Sequence, residues 1–231
     1  MSRLPIVLMA LLFVGFSPSH ASSAQDGFSF VVEDKAPPEE ITAEVREKIA
    51  SKAYQLSDAN GLFFEIWLVP ELALSEIGAT TKESMEKIEP ISLLGAIVVH
   101  QEDHHGFRDD PIDKGTYVLR MSIQPEDGDH MGTSPYDFFA ILLPYDIDDE
   151  LKEFAEDHEF MVELASEGTV AEHPAILALQ PMDSADGEFP RLDVNEEEEW
   201  HSLCLNFPAK AGDEALTLPI KLVFEGIGDI E

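Results

Sequence analysis

Short apolar runs separated by polar turn signals recur along this chain, some alternating with a period of two, and they predict strands. The longest case starts at Gly115. Tyr117, Leu119, Met121 and Ile123 fall on one face there, and Val118, Arg120, Ser122 and Gln124 on the other. Similar runs at 62–69 (LFFEIWLV), 91–99, 138–143, 174–179, 189–194, 200–207 and 216–225 read as further strands. A short apolar run at 53–56 joins the strand at 62 through Asp58-Ala-Asn60-Gly61, a hairpin signal.

Helical spacing is confined to few places. Ile41, Val45 and Ile49 recur every four residues behind APPEE, whose prolines and acids suit a helix start. A helical turn is expected near 81–87. Asp148, Asp149 and Glu150 open a helical insertion at about 148–166, with a second stretch from His158 to Ala165. Roughly eight or nine strands with so few helices predict a mainly β, antiparallel β-sandwich, with a barrel as its competitor. The lack of strand–helix alternation argues against a parallel α/β sheet.

The first residues read as a signal peptide at 1–24. Arg3 gives the positive start, 4–16 the apolar stretch, and SPSHASSA the small-residue region, with cleavage after Ala24 or Ala21. No cysteine lies at the junction, so a lipid anchor is not expected, and no later run is long enough to span a membrane. An exported protein, periplasmic or extracellular, with a single domain at 25–231 is the expectation. Cys204 is the only cysteine, so no internal disulfide forms; its apolar neighbours predict a buried, inert thiol.

Charge narrows the partners. There are 47 acids against 14 bases, a net charge of −33. Such a surface repels phosphate backbones and anionic lipids, which excludes nucleic-acid and membrane-surface binding. Two readings are left: a heavily solvated surface suited to a salty exterior, or binding of a divalent cation by hard oxygen ligands.

The segments APPEEI, NGLFFEIWLVPEL, LLGAIVV, GTYVLRMSIQPEDGDHMGTSPYDFFAILLP, EHPAILALQP and LPIKLVFEG follow in this order. The chain thereby resembles an uncharacterised family of exported bacterial proteins with an immunoglobulin-like β-sandwich. The resemblance covers most of the chain after residue 24 and is densest over 115–144. It implies the fold and export, and brings no activity or catalytic residue.

Two constellations carry candidate chemistry. His100, Asp103, His104 and His105 offer imidazoles and a carboxylate, the ligand set of zinc, nickel or copper, if the loop folds back on itself. Glu126, Asp127, Asp129 and His130 lie in a loop that Gly128 and Gly132 allow to turn tightly, so that it aims oxygens at a cation or ties itself with hydrogen bonds to its own backbone. The EF-hand pattern fails in that loop, and again from Asp193, where Glu198 and Cys204 stand at the glycine and glutamate places. Ser84-x-x-Lys87 lacks its companion motifs, His158-Glu159 lacks the second histidine, and no Walker or G-x-S-x-G element occurs.

Arg120 is a lone base in an apolar strand. Either it pairs with a carboxylate such as Asp127 or Asp137, or it anchors an anionic ligand. Trp67 is expected in the core and Trp200 at a partly exposed edge. The leading expectation is a non-enzymatic binding or accessory module with an unknown protein or small-molecule partner. The alternatives are a metal-dependent hydrolase using the 100–105 histidine loop and a calcium-stabilised structural domain.

Overall fold

The structure is a computed structural model and describes residues 27–102, 104–124, 134–148, 158–167 and 173–226. Strands β1 (Ser29–Glu33), β2 (Ala53–Asp58), β3 (Gly61–Leu68), β4 (Leu72–Ala73) and β5 (Leu93–Val99) come first. The short β6 (His104–His105) and β7 (Pro111–Ile112) then form a separate ribbon. β8 (Gly115–Ile123), β9 (Phe138–Pro144), β10 (Ile176–Pro181), β11 (Arg191–Asn195), β12 (Trp200–Ala211) and β13 (Glu214–Glu225) complete the set. Among the described residues three helices accompany them: α1 (Ala43–Arg46), α2 (Thr81–Met85) and α3 (His158–Glu167).

The chain is mainly β. Its large sheet is one hydrogen-bonded path, β1-β2-β3-β5-β8-β9-β10-β13-β12-β11, with every neighbour antiparallel, and β4 adds to β12 in parallel. The sheet curls until its first strands face its last. Phe28 meets Phe63 at 5.8 Å and Phe224 at 5.5 Å between ring centres. One core cluster runs through strands from both ends of the path.

The alternation expected in β8 is realised: Tyr117, Leu119 and Met121 enter that core, with Ile123 packed against it. The interior is filled by side chains, and a void of about 20 Å³ within it, lined by aliphatic and aromatic side chains, has room for about one water.

The outer face carries three smaller apolar clusters, each under a short cover. Ile41, Val45 and Ile49 bring α1 onto Trp67, Ala96 and Val118. Trp67 is buried as expected, on this outer face, with its Nε1–H donated to the Lys35 carbonyl at 2.9 Å. Met161, Leu164 and Ala165 of α3 cover Ile141 and Leu143. Phe107 and Trp200 cover Phe139, Ala178 and Val223. Trp200 is 7 % exposed, a correction to the expected edge position, because the 3-10 turn Phe107–Asp109 lies over its ring. Cys204 is buried, and burial raises its thiol pKa to about 11. β3 and β5 come close together at Gly95, which pairs with Leu68: a Cβ there would stand 2.0 Å from the Trp67 carbonyl oxygen.

Candidate functional site

The loop after β5 does fold back, and backbone bonds hold it. Asp109 N–H donates to the Gly226 carbonyl at 2.7 Å, and Gly226 N–H donates to Gly106 at 3.2 Å. Gly226 must be glycine, since a Cβ there would meet the Trp200 ring at 2.3 Å. This docks the histidine loop onto the end of β13 and opens a cleft of about 530 Å³, within the range of small-molecule sites. His104, His105 and His201 line it together with Asp58, Asp109, Glu199 and Glu225. No lysine or arginine is among the described residues of its lining.

Each group has a physical setting. His104 is buried, stacks on Phe63 at 5.0 Å and meets Phe64 edge-on at 4.4 Å. Its Nε2 faces the Phe224 carbonyl at 3.4 Å, which suits the neutral tautomer with hydrogen on Nε2. Burial lowers its pKa, against the opposing pull of that carbonyl and Asp58. His105 is exposed, and its Nδ1 lies 2.9 Å from the Asp109 carboxylate. His201 lies across from Glu225 in the β12–β13 ladder, its ring 4.5 Å from that of Phe28.

Glu225 is the unusual carboxylate. Burial pushes its pKa up, and the negative charges of Asp58 and Asp109 add to the shift. Asp58 goes the other way. Although burial opposes it, hydrogen bonds from Gln101 at 3.0 Å and the Asn60 amide at 2.7 Å hold its pKa below the usual range. The Asp58–Gly61 turn thus fixes one ionised carboxylate facing another that resists ionisation.

The expected histidine set is only partly gathered. His104 and His105 share the cleft, whereas His100 turns to Glu65, with Nε2 to Oε2 at 2.9 Å. Glu65 is 4 % exposed and also receives Gln55 at 2.8 Å and the Lys35 ammonium, donors that lower its pKa against the opposing effect of burial. His201 was the missing member; it stands in an ordinary strand pattern nearly a hundred residues further on. Among the described residues no three His, Cys, Asp or Glu side chains stand close enough to hold a metal ion. Asp103, Asp127, Asp129 and His130 lie outside the described residues.

Arg120 has a different partner from those expected. Its Nε and Nη2 donate to the two oxygens of Asp148, each at 2.8 Å, and Nη1 donates to the Ile91 carbonyl at 3.2 Å. The turn after β9 brings Asp148 back over the outer face, where it is 2 % exposed. Both oxygens of the carboxylate are therefore committed to the guanidinium.

Comparison of the chain with protein-family models, with curated proteins and with solved structures gives no match.

Proposed function

We propose that this chain is an exported, non-enzymatic binding module whose ligand is a small organic cation held in the cleft of His104, His105, His201 and Glu225. The observation that carries this reading is the cleft's charge. Four carboxylates line it, no lysine or arginine among the described residues offsets them, and Glu225 is half-buried with its pKa raised by burial and by two neighbouring negative charges. An ammonium or guanidinium group entering there supplies the positive charge that would let Glu225 ionise.

Calorimetry with agmatine and cadaverine tests it. Both should bind, with affinity that falls as salt is added and falls again as Glu225 takes up its proton at a pH above the ordinary glutamate value of ~4.3. Glu225→Gln should remove most of the heat. No heat from the parent protein at low salt, or equal binding by Glu225→Gln, would sink the proposal.

Export rests on the apolar segment at 4–16 with its small-residue end. The immunoglobulin-like sandwich and the resemblance to the exported bacterial family are kept as proposals too. The face-to-face packing of the first and last strands supports a two-layer arrangement, and the unbroken ladder joining the layers departs from two separate sheets. Two other readings keep a specific test. Zinc or copper retained by the exported protein would favour a metal-dependent hydrolase built on His104 and His105. Stabilisation by calcium would favour a structural cation held by Asp127, Asp129 and His130.

A further inference from the structure

We propose that a second cleft, beside Asn206 on β12, binds an extended apolar peptide carrying a carboxylate, by adding it as a strand. β12 is paired with β13 along nearly its whole length. On its other side β11 accompanies it as far as Cys204, and β4 takes over at Ala209. Between them no strand among the described residues lies beside β12.

The ladder shows which way its backbone points there. In an antiparallel strand each residue directs its N–H and C=O to the same side. Pro219 stands across from Asn206, has no N–H, and gives its carbonyl to the Met182 N–H at 2.9 Å, beyond the end of β10. Asn206 and Pro219 are therefore a non-bonded pair, and the Asn206 N–H and C=O point to the open side. Lys210 has the same parity, and its carbonyl accepts the Leu74 N–H at 2.9 Å on that same side. No partner for either group is found among the described residues, and a strand edge of that kind is a template for another backbone.

The Asn206 side chain adds a second, independent sign. Its Nδ2 donates to the Ala185 carbonyl at 3.3 Å, while its Oδ1 is buried and finds no partner among the described residues. Buried acceptors are rarely left open unless something else fills them. The cleft here is about 440 Å³, walled by Tyr54, Phe189, Pro190 and Phe207. These walls take apolar side chains. The exposed Lys52 is the only charged residue of the lining, which is notable on a chain of net charge −33. At physiological salt the distant acids are screened within about 8 Å, so the nearby ammonium selects a carboxylate on the peptide. A strand-spaced N–H and C=O pair matches the donor and acceptor spacing of an extended peptide backbone. This site stands apart from the cation cleft and does not depend on it.

The experiment uses the full chain labelled with ¹⁵N. The probe is an acetyl-capped hexapeptide of alternating valine and threonine with a free C-terminal carboxylate. Saturable shifts of the Asn206 backbone and side-chain amides are expected, with slowed hydrogen exchange of its N–H. Methylating alternate probe amides should abolish binding, because the added strand loses its donors. Lys52→Glu, at an exposed position, should weaken the probe up to about fivefold and leave its C-terminal amide form unaffected. No saturable shift at Asn206, equal binding of the methylated probe, or unchanged affinity in Lys52→Glu overturns the proposal. Cellohexaose producing the Asn206 shifts where the peptide does not would also overturn it and make the cleft a glycan site.

Discussion

Replacing Asp148 by asparagine tests how the outer face of the sheet is held. The Asp148 carboxylate accepts two N–H groups of Arg120 at 2.8 Å, and the exposures of the two side chains are 2 % and 17 %. Asparagine keeps the shape, removes the charge, and sets an amide donor against a guanidinium donor. Breaking a buried pair by removing one partner costs about 3–5 kcal/mol. The partial exposure of Arg120 lets water replace some of what is lost, which puts the expected cost near 3 kcal/mol. In a domain of this size each kcal/mol lowers Tm by about 2–4 °C, so a fall of roughly 6–12 °C is expected.

The damage should reach Ile91. That residue holds φ +71, a left-handed conformation unusual for a β-branched side chain, with its N–H on the Met121 carbonyl at 2.7 Å and its carbonyl on Arg120. A companion double variant, Arg120→Met with Asp148→Leu, replaces the pair by apolar volume. It should stay within about 1 kcal/mol of the parent or exceed it. Thermal and urea denaturation followed by circular dichroism gives both numbers, and agmatine calorimetry on the same samples separates stability from binding. A loss below about 0.5 kcal/mol for Asp148→Asn would refute the reasoning, since that is the range of an ordinary surface change. A double variant less stable than Asp148→Asn alone would refute it equally.

Three further outcomes are expected. His104 has a lowered folded pKa, so the stability it contributes is present above its unfolded value of ~6.5 and is lost as pH falls through the folded value; His104→Phe should flatten denaturation midpoints measured between pH 7 and pH 5, by about that span of the titration. Gly95→Ala drives a Cβ against the Trp67 carbonyl and should cost about 3 kcal/mol or prevent soluble expression, as read by urea denaturation; a fully stable variant would mean the two strands can move apart freely. Cys204, with its pKa raised to about 11, should ignore a maleimide at pH 7 in the native protein and react at once in denaturant.

Much of the fold was legible because the inner face of the curl obeys a strict period of two. Tyr117, Leu119 and Met121 announce themselves; Ile41, Val45 and Ile49 are all buried on one side as their spacing suggested, although only the turn Ala43–Arg46 between them is helical. β4 escaped notice because two residues carry no period, and β1 because SFVVE has too little alternation to separate from a polar linker. The cleft was half legible. His104 and His105 draw attention as neighbours, but adjacent residues on a strand face opposite sides, and here one is buried and the other exposed. His201 and Glu225 belong to the site only through the ladder between β12 and β13, a pairing no local pattern encodes. Asp148 was missed as the partner of Arg120 for the same reason: the turn that returns it has no signature stronger than the nearer acids.

The parallel contact of β4 with β12 has a consequence for how the molecule is made. It joins residues 72 and 73 to residues 209 and 210, so the curl cannot close until nearly all of the chain is present. Contacts this distant in sequence are slow to find, on the scale of milliseconds to seconds for such topologies. Until then β3 and β5 lie in a half-built sheet with an apolar face bared to solvent and to other copies. A chain stopped before β12 should therefore be an aggregation hazard and not a smaller stable domain, and the whole sheet should melt as one cooperative unit.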